Sequence, residues 1–183
     1  MTSSFSFYTE LKDRILARSA QVSTLGLGYV GLPLALTVAE AGFPTLGFDL
    51  NSARVAAIND GQRVISYFPE DRIAEAIASR RFSATDDAAR LKGADIILIC
   101  VPTPLSATRE PDMTYVVRAA ETIARHLRPG QMVVLESTVW PGATAQVVKP
   151  ILERDGLRAG VDFFLGFSPE REVWMAPLLS STS

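Results

Sequence analysis

Cysteine is nearly absent from this chain: Cys100 is the single one among 183 residues. One thiol excludes an intrachain disulfide and any multi-cysteine metal site, and no metal centre is expected. Charge of one sign is not in excess either. Lys and Arg number 18 and Asp and Glu 20, a formal net charge of −2, which argues against nucleic acid or an anionic membrane as a partner. No apolar run reaches the roughly eighteen residues of a membrane span. Met1 to Tyr8 lack the basic-then-apolar order of a secretion signal, so a cytoplasmic location is the default expectation. Internal repeats and low-complexity tracts are missing as well. What is present suits a folded domain: 48% hydrophobic and 21% charged residues, and a length at which one core removes roughly 70% of the unfolded surface from water.

Residues 5–19 place Phe5, Tyr8, Leu11, Ile15 and Leu16 at helical spacing, which predicts a short amphipathic helix in an extension over 1–20. From residue 21 onward, apolar runs alternate with helical patterns. Val22–Leu25, Thr45–Phe48, Ala94–Val101, Met132–Leu135 and Phe163–Phe167 read as strands, with Arg81–Ala84 a weaker sixth. Helices are expected over 31–41, 52–59, 70–80, 113–127 and 143–154. Gly42 should end the first of these and Asp112 should cap the fourth. Pro150 should bend or shorten the fifth. Strands apolar at nearly every position imply burial on both faces, and helical linkers imply a parallel sheet between helix layers. The fold expected is α/β: a doubly wound, six-stranded parallel sheet in the order 3-2-1-4-5-6. Ser23 and Thr24 make the first strand less apolar than its place requires.

The turn after that strand is Gly26-Leu27-Gly28-Tyr29-Val30-Gly31, a G-x-G-x-x-G between strand and helix. Gly26 would permit the tight turn, Gly28 the approach of a pyrophosphate to the backbone, and Gly31 close helix–strand packing. The helix that follows offers N–H groups and a positive dipole end to phosphates. Asp49 closes the second strand about 20 residues further on, where a carboxylate hydrogen-bonds the adenosine ribose of a dinucleotide. Cys100, inside an apolar strand, is expected to be an inert core thiol. His126, near a helix C-terminus, is expected to be solvated or to offset the dipole. Arg109 and Asp112 are read as loop and cap residues.

The longer string Gly26–Val30 with Gly31-Leu32-Pro33 resembles the UDP-glucose/GDP-mannose dehydrogenase family. Val101-Pro102-Thr103-Pro104, Glu136-Ser137-Thr138-Val139 and Ser168-Pro169-Glu170-Arg171 follow in the family's order. Arg109-Glu110-Pro111-Asp112-Met113 and Pro141-Gly142 are most similar to the branch acting on UDP-N-acetylated hexosamines, the 6-dehydrogenases of UDP-N-acetylglucosamine above all. The resemblance spans about residues 8–172. It implies an NAD-dependent oxidation of the C6 alcohol of a UDP-sugar to a carboxylate. It implies that Gly26, Leu27, Gly28, Tyr29, Val30 and Gly31 cradle the pyrophosphate of NAD, and that Asp49 and Arg54 serve the adenosine ribose. Thr103 would contact the cofactor, Thr138 would stand near the nicotinamide and a catalytic water, and Glu170 would position or activate that water. A UDP-sugar is the implied partner of the full-length enzyme, with a homodimer left open.

The family's chemistry also requires a cysteine nucleophile, a lysine and an asparagine beyond the Ser-Pro-Glu motif. Residues 173–183 do not resemble the family. The expected organisation is therefore a helical extension over 1–20, an NAD-binding domain over 21–172 and a tail over 173–183, without catalytic and C-terminal domains. The 183-residue chain is expected to bind NAD and not to turn over by itself. A non-catalytic NAD-binding module, a UDP-glucose 6-dehydrogenase, and a hydroxyacid or 6-phosphogluconate type of dehydrogenase are the alternatives.

Overall fold

A computed structural model describes residues 4–65, 70–104 and 111–169. The elements in chain order are α1 (Ser4–Leu16), β1 (Val22–Leu25), α2 (Gly31–Glu40), β2 (Thr45–Phe48), α3 (Ser52–Asn59) and α4 (Glu70–Ala78). After these come β3 (Phe82–Thr85), a 3-10 helix (Ala88–Gly93), β4 (Ile96–Ile99), α5 (Thr114–Ala124), β5 (Met132–Leu135), a π-helical turn (Thr144–Val148), α6 (Lys149–Leu152) and β6 (Phe164–Phe167). All strand pairs are parallel, and the sheet runs β3-β2-β1-β4-β5-β6, the expected order.

Alternation along β4 shows how both faces are covered. Ile97 and Ile99 pack with Val116, Ala120 and Ile123 of α5 and with Ile151 and Leu152 of α6. Leu98 turns to the other face, with Leu34 and Val38 of α2. A further cluster joins Leu32 and Leu36 of α2 to Val55 and Ile58 of α3 and Ile73 of α4. β1 lies at the centre with every residue buried. The hydroxyls of Ser23 and Thr24 are enclosed there without a hydrogen-bond partner among the described residues, so the polarity of this strand is a local cost that the surrounding packing overrides.

Element ends follow local chemistry. Gly42, at φ +100, ends α2, its N–H donating to the Ala39 carbonyl while the Phe43 N–H reaches Val38. The helix expected over 143–154 is instead a π-helical turn followed by four residues of α6. Pro150 has no N–H to offer the Gln146 carbonyl, and the turn ahead of it widens. The strand expected over Ala94–Val101 is shorter, because the Ala94 N–H still closes the 3-10 helix on Leu91 and Pro102 and Pro104 cannot donate to a ladder. At the outer edge of β3, the Asn59 side chain accepts from the Ala84 N–H at 2.8 Å and donates to the Ala84 carbonyl at 3.0 Å.

The helix α1 docks by a different face than its apolar spacing suggests. Leu11 is buried, but Tyr8 and Leu16 stand 53% and 72% exposed. The docking stripe is Phe7, Leu11 and Arg14, which line a small polar cavity with Asp95, Arg128 and Gly130. The physical reason is Asp95, buried just ahead of β4. Its carboxylate accepts from Arg14 at 2.6 Å, from Arg128 at 2.9 Å and from the Gln21 N–H at 2.8 Å. A buried carboxylate must be paired, and the pairing turns a charged residue of α1 inward.

Candidate functional site: a crevice at the carboxyl ends of the strands

The strands end level with one another. Leu25 is in register with Phe48 and with Ile99, Ile99 with Leu135, and Leu135 with Phe167. The residues that follow β1, β2, β4 and β5 therefore meet at one rim, and the chain reverses its winding between β1 and β4. That is where open α/β sheets hold ligands. A crevice of about 860 Å³ opens there, toward the upper end of the roughly 300–1,000 Å³ usual for ligand sites.

On the β1–β2 side the wall is the glycine turn. Gly26 has φ +90, and a Cβ on it would come within 2.8 Å of the Cys100 carbonyl. A Cβ on Gly31 would lie 1.8 Å from the Gly26 carbonyl oxygen, so α2 starts closer to the turn than any side chain allows. Gly28 is the opposite case: it lines the crevice, and nothing stands within 4 Å of where its Cβ would be. Val30 gives α2 no side-chain cap, whereas Asn51 caps α3 by accepting from the Arg54 N–H. The start of α2 therefore turns backbone N–H groups and a positive dipole end toward the opening.

Asp49, half-buried after β2, is held at both oxygens: Oδ2 accepts from the Leu27 N–H at 2.8 Å and Oδ1 from the Asn51 N–H at 2.9 Å. Arg54 Nη1 donates to the Leu27 carbonyl at 2.8 Å. Both charged side chains are thus tied to one residue of the glycine turn, Leu27, through its N–H and its carbonyl, and each carboxylate oxygen retains a lone pair for a further donor.

The β4–β5 side is built from two crossing loops. Ser137, buried, donates from Oγ to the Val101 carbonyl at 2.7 Å. Thr103 Oγ1 donates to the Thr138 carbonyl at 2.8 Å. Thr138 itself is exposed and lines the crevice. A third wall comes from α5, through Tyr115, Arg118, Ala119 and Thr122. At the head of α5, the Asp112 carboxylate accepts from the Thr114 hydroxyl at 2.6 Å and its N–H at 2.9 Å. These two bonds, the hydroxyl's first, hold the Asp112 carboxyl below its ordinary value of 3.8.

Of the residues singled out in the sequence, Gly26, Gly28, Tyr29, Val30, Asp49, Arg54, Thr103 and Thr138 line this one crevice. Leu27 and Gly31 do not: the Leu27 side chain is wholly buried in the core and its N–H is spent on Asp49, while Gly31 serves packing. Glu170 and Arg109 lie outside the described residues. Cys100 is 7% exposed, yet it sits one residue beyond β4 and on the crevice wall, nearer the site than a thiol inside the sheet. The sequence reading missed the α5 wall. Its signal was there, since Tyr115, Arg118 and Thr122 recur at the three- and four-residue spacing of one helix face.

A glycine turn, a carboxylate after the second strand and an uncapped helix start around one switch-point crevice define a dinucleotide-binding α/β domain. A profile described as the UDP-glucose/GDP-mannose dehydrogenase family, NAD binding domain, matches residues 20–174, and the chain belongs to that family. The chain is 38% identical over 152 residues to the UDP-N-acetyl-D-mannosamine dehydrogenase of Pyrococcus horikoshii, covering 82% of this chain and 36% of that protein. It is 39% identical over 155 residues to the UDP-N-acetyl-D-glucosamine 6-dehydrogenase of Pseudomonas aeruginosa, covering 84% and 36%. Among solved structures, a ternary complex of GDP-mannose dehydrogenase from Pseudomonas aeruginosa superposes with a TM-score of 0.79 at 33% identity, covering 82% of this chain and 36% of that one. The chain thus spans about a third of the length of the curated relatives it matches.

Proposed function

We propose that the chain lays NAD across this crevice as the cofactor domain of a nucleotide-sugar dehydrogenase that oxidises the C6 alcohol of a UDP-N-acetylhexosamine to the uronic acid. The observation that carries the reading is the sharing of one crevice by Asp49, the open Cβ position of Gly28 and the uncapped start of α2. Each answers one part of a dinucleotide. The adenosine ribose hydroxyls would donate to Asp49, and the pyrophosphate would lie over Gly28 against the N–H groups of α2. The second nucleotide would extend along β4 and β5 toward Thr138. NAD, when bound, supplies the hydride acceptor. The protein's own groups hold it, turn its reactive end toward Thr138 and exclude a bulkier adenosine phosphate near the Asp49 charge.

The choice of sugar rests on the relatives. Curated relatives named for UDP-N-acetylhexosamines are 37–39% identical, and those named for GDP-mannose 33%. Glu170 is proposed as the water-positioning carboxylate. The division at residues 20 and 172 is proposed to separate an extension and a tail from the cofactor domain.

Titration calorimetry tests the cofactor. NAD should bind more tightly than NADP, and Asp49→Ala should weaken NAD at least about tenfold, since a hydrogen bond to a charged group is worth roughly 1.5–3 kcal/mol. Equal affinity for the two cofactors would remove Asp49 from the ribose site. Mixed with NAD and UDP-N-acetylglucosamine or UDP-N-acetylmannosamine, the 183-residue chain should release no uronic acid, because capture of the intermediate aldehyde needs an accessible thiol and its one thiol, Cys100, is buried.

A further inference from the structure

Two arginines from distant parts of the chain converge at the end of the sheet opposite the crevice. Val22, Thr45 and Phe82 open β1, β2 and β3 in register. The residues just ahead of them, Arg18, Gly42 and Arg81 among these, therefore meet at one corner. The point where a Cβ would stand on Gly42 lies 3.1 Å from Arg81 Nη1 and 3.5 Å from Arg18 Nη1. Gly42 is bare there, and the two guanidinium groups close in over its backbone. Both arginines are exposed, and neither guanidinium has a hydrogen bond or an ion pair among the described residues.

Service to the end of α2 does not account for this pair. The Thr37, Val38 and Ala39 carbonyls already accept from the N–H groups of Ala41, Phe43 and Gly42, and neither arginine donates to any of them. Two full positive charges also exceed the roughly half negative charge of a helix C-terminus. The backbone points the same way. Arg18 and Arg80 are the two non-glycine residues with a left-handed φ, +54 and +58, among those described. Each stands where the chain leaves a helix, the Arg18 N–H on the Ile15 carbonyl and the Arg80 N–H on that of Ile77. Glycine or asparagine is the usual residue in that conformation. Arginine at both places adds a third cation, Arg80, next to Arg81 in the chain.

We infer that this corner is an anion site, remote from the crevice, that takes the phosphate group of a small ligand between Arg18 and Arg81. A phosphate carries the charge that the pair lacks, and its oxygens accept from both guanidinium forks at once. Held there, it would join the exit of α1 to the entries of β2 and β3. The inference is independent of how the crevice is read.

The test follows backbone amides of the full chain by NMR during titration with inorganic phosphate and, separately, with glycerol phosphate. Sodium chloride at matched ionic strength is the control. The Arg18, Gly42 and Arg81 amides should shift saturably with the phosphates and not with chloride. The tighter of the two phosphates tells whether the free anion or a phosphate monoester is the ligand. Arg18→Gly and Arg81→Gln should each weaken that binding at least about tenfold, the loss of a charge-assisted hydrogen bond. Glycine suits the left-handed position, and either variant relieves the repulsion within the pair. Tm in phosphate-free buffer should therefore not fall. Added phosphate should raise Tm more in wild type than in either variant, because a ligand that binds only the folded state stabilises it. Exclusion of phosphate from protein surfaces acts on all three chains alike and cancels in the difference.

No saturable shift at Gly42, or an equal shift with chloride, overturns the inference. Phosphate affinity unchanged in both variants overturns it too. A shift confined to Gly28 and its neighbours does the same, since it places the anion at the glycine turn. A lower Tm of both variants in phosphate-free buffer also overturns it, because the arginines would then hold the fold and not a ligand.

Discussion

Gly28 and Gly31 belong to one motif, yet the structure assigns them opposite duties, and alanine at each position separates them. Neither has a left-handed backbone, so a methyl group is tested for space alone. On Gly31 it would lie 1.8 Å from the Gly26 carbonyl oxygen and 3.0 Å from the Cys100 Cβ, where ordinary contact begins at 3.4 Å. The start of α2 must then retreat by more than an ångström from a turn that cannot follow it. Overpacking against backbone stands at the upper end of the usual range, about 3 kcal/mol. For a domain of this size that is a fall in Tm of roughly 6–12 °C. On Gly28 the same methyl meets nothing within 4 Å, and Tm should stay within about 2 °C of wild type. It would, however, occupy the surface over which the pyrophosphate passes. Losing one charge-assisted backbone hydrogen bond weakens NAD roughly tenfold to a hundredfold. Thermal melting without ligand, together with NAD calorimetry, reads both quantities. Gly28→Ala binding NAD as tightly as wild type, or Gly31→Ala melting with wild type, would refute this division.

Thr24→Val should raise stability by about 1 kcal/mol, because the enclosed hydroxyl has no partner to lose; a fall in the denaturant midpoint would show that it is satisfied after all. Asp95→Ala should cost about 2 kcal/mol, less than a fully buried pair because Arg14 and Arg128 are 40% and 33% exposed. Hydrogen exchange over residues 4–16 should accelerate with it, and unchanged protection there would mean that α1 is held by its apolar contacts alone. Asp112 stabilises the head of α5 in its charged form, and its folded value is depressed. That contribution is therefore present at neutral pH and fades as pH falls below 3.8. The Tm difference between wild type and Asp112→Ala should shrink between about pH 6 and about pH 3, and a difference that holds constant would assign the effect to something other than the carboxylate.

Three strands were readable to the residue, Val22–Leu25, Thr45–Phe48 and Met132–Leu135, and Phe163–Phe167 was too long by one residue at its start, because in a parallel sheet nearly every position is apolar and turn residues bound each run. The crevice was readable from the glycine turn and from Asp49 for a related reason: its requirements are local to a turn and a strand end. The docking face of α1 was not. It depends on an ion pair between residues 81 positions apart, and periodicity, which counts only apolar residues, sends a stripe through Tyr8 and Leu16 instead. The α5 wall was hidden by the same limit, since Arg118 and Thr122 read as a solvated face until the fold brings that face to the rim. The cross-tie of Thr103 to Thr138 needs two loops to meet, which only the strand order supplies.

Asn59 gives the sheet a direction. With one carboxamide it offers Ala84 both an acceptor and a donor, which is what a peptide unit of a seventh strand would offer, so at β3 a side chain stands in for backbone and terminates the array. At the other margin β6 is the last strand of the order among the described residues, and Phe167 on it is 45% exposed. Lateral growth of this sheet is accordingly obstructed past β3. An isosteric Asn59→Asp exchange, which keeps the acceptor and deletes the donor, would reopen that margin.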